Sequence, residues 1–209
     1  MKRPWCVLVS AAVLSVLLMA SRSAWPQGDV IAGVWNPHQE RVTWSRGRHA
    51  VVFPYSRALP DSRLTPGALN PAVTQTTLRE TICRRGGYTR SVRPAERYTE
   101  ALKRAQIREY GYSDHRLGDY EEDHLISLEL GGSPDSPRNL WPEPHRVVGG
   151  WDSYAKDRLE NRLHWMVCHR RITLSRAQYL IAHDWIAAYR RYLGPVPYAH
   201  RRHGHRVYR

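Results

Sequence analysis

The chain has 209 residues, 42% of them hydrophobic, which suits one domain around a single core, with or without extensions. Its 32 lysines and arginines outnumber 19 acids, for a formal net charge of +13 and a pI near 10.2. That balance says nothing about fold. It favours polyanionic partners, nucleic acid or an anionic envelope surface, although an arginine-rich genome produces the same excess without any partner.

At the N-terminus, Lys2 and Arg3 precede an apolar run from Val7 to Ala20, and the small residues Ser21, Ser23 and Ala24 follow. This is the pattern of a secretory signal peptide over 1–24. The run is too short for the ~20 residues that cross a bilayer, so cleavage is expected and the product is secreted or periplasmic, without stable membrane insertion. Cleavage removes Cys6 and leaves Cys83 and Cys168, which are expected to pair in an oxidising compartment. A bridge closing so long a loop stabilises by roughly 4 kcal/mol in the chain-entropy picture. Neither cysteine lies in a motif that would make it a catalytic thiol, and there is no CxxC for zinc.

Residues 25–66 are rich in Trp, Pro, Arg and Gly without sustained periodicity, and are expected to form a loosely ordered leader. Only Val51 to Tyr55 suggests a strand, weakened by Pro54. The main domain is expected over 67–194. Asn70-Pro71 and the capping-box pattern Thr77 to Glu80 predict a short helix ending at Gly86-Gly87. A second helix is predicted from Thr99 to Tyr110, stopped by Gly111. A third spans Trp151 to Val167, with Ala155, Leu159, Leu163 and Met166 as its apolar stripe. The last opens on a capping box at Ser175 to Gln178, carries Leu180, Ile181, Trp185, Ala188 and Tyr192 inward, and ends at Gly194-Pro195. Trp141, Trp151, Trp165 and Trp185 are expected in the core rather than as base-stacking platforms. The basic tail, 195–209, is expected to be solvated.

Between the second and third helices runs YEEDHLISLELGGSPDSPRNLWPEPH. Leu125, Ile126, Leu128 and Leu130 suggest a short apolar strand, Gly131 to Asp135 a turn, and Asn139 to Trp141 the returning strand, closed by Pro142 and Pro144. The fold class is therefore α+β, a mainly helical domain around a hairpin-plus-helix unit. On an extended strand Asp123 and His124 face opposite ways, so they share one site only if the strand ends or bulges there.

The order Asp123-His124, Gly131-Gly132, Asn139 resembles the HNH, or ββα-metal, nuclease motif. More narrowly, TICRRGGYTRSVRP, LKRAQIREYG, EEDHLI, NLWPEP, KDRLENRLH and DWIAAY look like a family of small secreted bacterial proteins grouped with HNH endonucleases, over about Thr65 to Leu193. The resemblance implies a ββα-metal unit and an endonuclease that hydrolyses DNA, or RNA, with little sequence preference. It also implies that Asp123 binds a divalent cation, Mg2+ with Mn2+ or Zn2+ as alternatives. His124 would be the general base on a water, and Asn139 would tie down the loop that orients the imidazole. The chemistry is self-consistent: phosphodiester hydrolysis needs an activated water and positive charge beside the phosphate oxygens.

The helix ligand is left open. Asp157, Glu160, Asn161 and His164 share one face, with Asp157 favoured, then Glu160 and His164, and His145 as an outsider. The same residues also suit a solvated face paired with Lys156, Arg158 and Arg162. Asp123-His124 could be a buried hydrogen-bonded pair, Asn139 a turn residue, and Glu129 a solvent-facing acid or a buttress for an arginine. Two other functions follow from those ordinary readings: a non-catalytic basic envelope protein that binds polyanions, and, ranked last, a hydrolase of another envelope substrate.

Overall fold

Residues 41–45 and 48–195 are described by the computed structural model, with side chains from Val51 onward; the expected signal peptide, Cys6 and the basic tail beyond residue 195 lie outside them. β1 (Arg41–Ser45) and β2 (Arg48–Val52) form an antiparallel hairpin, with Ser45 opposite Arg48. The strand expected over Val51 to Tyr55 stops at Val52, ahead of Pro54, with a single parallel bridge from Phe53 to Val147 beyond it. From the end of β2 onward, Val51, Phe53, Ala58 and Thr65 are buried. The Phe53 ring lies 5.0 Å from Tyr120 and 6.1 Å from Tyr112. The expectation of a loose leader over 25–66 is thus corrected for its second half: the core begins by Val51, not at residue 67.

The helix expected between Asn70 and Gly86 does not form; the segment is a series of turns. Its threonines explain why. Thr74 and Thr77 exchange hydroxyl and backbone hydrogen bonds, and the Thr77 and Thr81 hydroxyls bond to the carbonyls of Ala72 and Thr77. Such side chains offer the backbone an alternative to the helical ladder. Helix instead starts after Gly87, as the short α1 (Tyr88–Val92), followed by α2 (Glu96–Glu109). α2 starts three residues before the predicted Thr99 and ends ahead of Gly111, whose φ of +63° suits glycine.

β3 (Tyr120–His124) pairs antiparallel with β4 (Leu140–Pro144), in register Tyr120 to Pro144 and His124 to Leu140. Pro142 and Pro144 are tolerated because a two-stranded sheet leaves each strand an open edge. The apolar run Leu128–Leu130, expected as strand, is a 3-10 turn. The strand is the acidic segment before it.

α3 (Ser153–Cys168) is capped by Asp152, whose side chain accepts from the Ala155 amide. Ala155, Leu159 and Leu163 face the core, and Val167 rather than Met166 completes the buried stripe. α4 (Leu174–Leu193) is capped by Thr173 rather than by Ser175, and it kinks at Asp184, whose carboxylate accepts from the Ala187 amide and so caps the second half. Trp151 meets Trp185 and Tyr189 edge-on between these helices, and the Trp185 indole donates to the Ala58 carbonyl. Trp141 is also buried, but Trp165 is 44% exposed, against expectation. Cys83 and Cys168 form a disulfide that ties the threonine-rich turns to the end of α3. The architecture is α+β, and among the described residues no helix is long and apolar enough to cross a membrane.

Candidate functional site

The loop between β3 and β4 is held from inside by Asn139, which is fully buried. Its Oδ1 accepts from the Ile126 amide at 3.0 Å, and its Nδ2 donates to the carbonyls of Ile126 (3.0 Å) and Ser133 (2.9 Å). With the Ala68 amide, which also donates to Oδ1 at 3.4 Å, one amide side chain therefore satisfies four backbone groups. The glycines before it are required sterically. A Cβ on Gly132 would stand 1.7 Å from the Ile126 carbonyl oxygen, and Gly131 has a φ of +77°.

This loop presents the Pro134 carbonyl to His124, which is 4% exposed at the end of β3. The Nε2 atom lies 2.8 Å from that oxygen. A carbonyl only accepts, so Nε2 carries the proton and Nδ1 holds the basic lone pair. Burial pushes the imidazole below its ordinary pKa. The Asp123 carboxylate and the Pro134 carbonyl oppose this, while Lys156 and Arg93 add to it. The ring is therefore neutral at pH 7.

Asp123 faces the other side of the strand, under α3. There its Oδ2 meets the ammonium of Lys156 at 2.5 Å. Lys156 has no exposed surface. Its Nζ also donates to the His124 carbonyl at 2.8 Å and to Glu160 one turn along the helix, and it stands 4.0 Å from Glu143 of β4. Three donors meet three acceptors. Burial disfavours the charges of Lys156 and Asp123, but each holds the other ionised: the lysine sits well above its ordinary range, and Asp123 below the usual carboxylate range. Glu160, by contrast, is pushed up to about 8 by burial despite the lysine. Glu143 lies well above the usual range, first from burial. As an ionised acceptor Glu143 would have no donor on either oxygen. Burial, with the neighbouring Asp123 carboxylate, accounts for its retained proton. One positive charge and one negative charge thus balance near neutral pH, with the two glutamates protonated. On the opposite face burial likewise raises Glu122 to about 8.

Of the other candidate ligands, the two histidines do not converge here. Asp157 is exposed, and the His145 Nδ1 lies 3.3 Å from the Ser153 hydroxyl. The His164 Nε2 donates to the Ile82 carbonyl, with its Nδ1 3.5 Å from Glu129, which buttresses a histidine rather than an arginine. Of the helix residues considered, Glu160 joins Asp123 through Lys156, and Asp157 stands close enough that, after burial, Asp123 raises its carboxyl pKa. Among the described residues, the one group of three potential ligands within 4.8 Å of one another is Cys83, His164 and Cys168, and its sulfurs are consumed by the disulfide.

No family model, curated protein or solved structure matches this chain. The reading of the site therefore stands on its own geometry. Lys156 fills the place that a divalent ion on Asp123 would need, its ammonium standing 2.5 Å from the carboxylate oxygen. The donor set does not fit a metal.

Two residues of this cluster were missed by sequence reasoning. Lys156 read as a solvated partner of its neighbours, yet its i, i+4 spacing to Glu160 already placed both on one face. Glu143 was hidden among prolines. It stands opposite Glu121, on the same sheet face as Asp123.

Proposed function

We propose that the protein is an exported hydrolase of nucleic-acid phosphodiester bonds in which the Nδ1 atom of His124 takes the proton of the attacking water. The observation that carries this reading is the His124 Nε2 contact to Pro134 in a loop stapled by Asn139. It leaves a neutral, oriented imidazole with its basic atom unspent, at the end of a hairpin followed by a helix. A positioned general base is worth roughly 10²–10⁴-fold in rate. Lys156 acts one step back: through Asp123 and the His124 carbonyl it fixes the strand end from which the ring projects. The excess of arginine supplies the attraction for the polyanion, and contacts to the backbone give little sequence preference. The disulfide suits the oxidising compartment that the N-terminal pattern predicts.

A second reading is favoured by one specific observation: with His124 so little exposed and all three Lys156 donors engaged, the site is nearly closed. A basic protein that binds polyanions without cutting them would have this character. Incubating supercoiled plasmid and single-stranded DNA with wild type and with His124→Ala, each with and without a chelator, separates the two. Hydrolysis expects cutting that is lost in His124→Ala while the fold persists. A folded wild type that binds DNA but leaves it uncut, across pH and divalent metals, refutes it.

A further inference from the structure

Between Glu160 and Asp184 the sequence contains no acid, although it carries Arg162, Arg170, Arg171 and Arg176 with three histidines. This stretch is the second half of α3, the connection, and the first half of α4. Two side-chain ladders stand on it with the same spacing. On α3 the Arg162 guanidinium lies 5.0 Å from the Trp165 ring, and the Trp165 and His169 rings stack at 4.4 Å. On α4 the Arg176 guanidinium lies 5.5 Å from the Tyr179 ring, and the Tyr179 and His183 rings stack at 3.9 Å.

Each histidine is set by its Nδ1 to the carbonyl of its own aromatic partner, Trp165 or Tyr179. Trp165 is 44% exposed and Tyr179 52%, the largest aromatic exposures on these two helices after Tyr154. Arg170 and Arg171 are exposed between the ladders, and the disulfide brings Arg84 and Arg85 to the same end of α3. The nearest acid with a contact on the stretch is Glu129, and it faces His164.

Core packing explains neither ladder, because both point outward. A flat aromatic ring flanked by a guanidinium is the chemistry that stacks on nucleobases and pairs with phosphates. We propose that the α3–α4 end is a docking surface for single-stranded nucleic acid, with unpaired bases stacking on the Trp165 and Tyr179 ladders and the backbone running along the arginines between them. Charge complementarity selects a polyanion, and the exposed rings select one with unstacked bases, which duplex and lipid headgroups lack. Along α3, Trp165 to His169 lies roughly 7–14 Å beyond Glu160, at 1.5 Å rise per residue, so a docked strand would stay beside the candidate site. The surface does not depend on His124 acting as a base.

Fluorescence anisotropy with labelled oligonucleotides tests it, on the full chain and without requiring cutting. Wild type and His124→Ala should bind a single-stranded oligonucleotide more tightly than the matching duplex. Trp165→Ala with Tyr179→Ala should weaken single-strand binding by ~10-fold or more, since stacking contributes about 5- to 150-fold per base. The salt slope should be unchanged by that pair and reduced by Arg170→Ala with Arg171→Ala. Equal affinity for single strand and duplex, or aromatic variants that bind like wild type, overturns the proposal. So does tighter binding to vesicles containing anionic lipid than to the oligonucleotide. A wild type that binds the oligonucleotide but leaves it uncut would count against the His124 reading alone.

Discussion

Replacing Lys156 with methionine keeps the length of the side chain and removes its charge. The structure then leaves Asp123 ionised beneath α3 with no cation, beside two glutamates already protonated. Breaking a buried ion pair from one side costs roughly 3–5 kcal/mol. At 2–4 °C per kcal/mol for a chain of this size, the melting temperature should fall by about 6–20 °C. The sign of the pH dependence sharpens the test. Asp123, held below the usual range, stabilises the wild type above its unfolded pKa near 3.9 and loses that contribution as pH falls through its folded value. Glu160, raised to about 8 from 4.5, makes stability decline as pH rises between those values. Without the ammonium Asp123 can be buried only as the neutral acid, which is easier at low pH. The gap between wild type and Lys156→Met should therefore be large at pH 8 and shrink towards pH 5, measured by circular-dichroism melts at both. A variant as stable as wild type at pH 8, or a gap independent of pH, would refute the balance of charges described for this cluster.

For activity, a neutral His124 below the ordinary range places the acid limb of kcat/KM below pH 6.5, with the active form lost only as pH falls through the depressed pKa; an acid limb above pH 7 contradicts that environment. Asn139→Ala should cost roughly 3 kcal/mol or more, because it orphans buried backbone groups at about 1–3 kcal/mol each, and denaturant unfolding measures it. Gly132→Ala should cost ~4 kcal/mol or more, since its methyl group would overlap a backbone oxygen that cannot retreat; soluble yield and melts report the loss. Reducing the Cys83–Cys168 bridge, which spans 85 residues, should remove about 4.5 kcal/mol in the chain-entropy picture, seen as a lower denaturation midpoint in dithiothreitol. Hydrolysis, once detected, should persist in EDTA at undiminished rate, as the donor set around Asp123 is filled by an ammonium.

What was legible in the sequence followed from local rules. Helical periodicity with clear stops located α3 and α4, and glycine with asparagine located the loop, because those signals act within a few residues. Tertiary competition defeated the rest. The threonine-rich segment carried a helix-start pair and a capping box, yet its hydroxyls could bond the backbone in turns, and the disulfide fixed it that way. Leu128 and Leu130 looked like a strand because apolar runs do; the pairing went to the acidic residues before them, whose partners on β4 are far along the chain. Lys156 was the least legible of all. Nothing within its own helix says that a lysine is fully buried, since the carboxylate that holds it comes from β3, 33 residues away. Trp165 failed the other way, as a large aromatic placed outside.

The Lys156 cluster also constrains how this chain can drift. A neutral residue at position 156, or at Asp123, strands an unmatched charge in the interior, so each single step is heavily penalised. Related sequences should therefore retain Lys156, Asp123, Glu143 and Glu160 together or exchange them as a set.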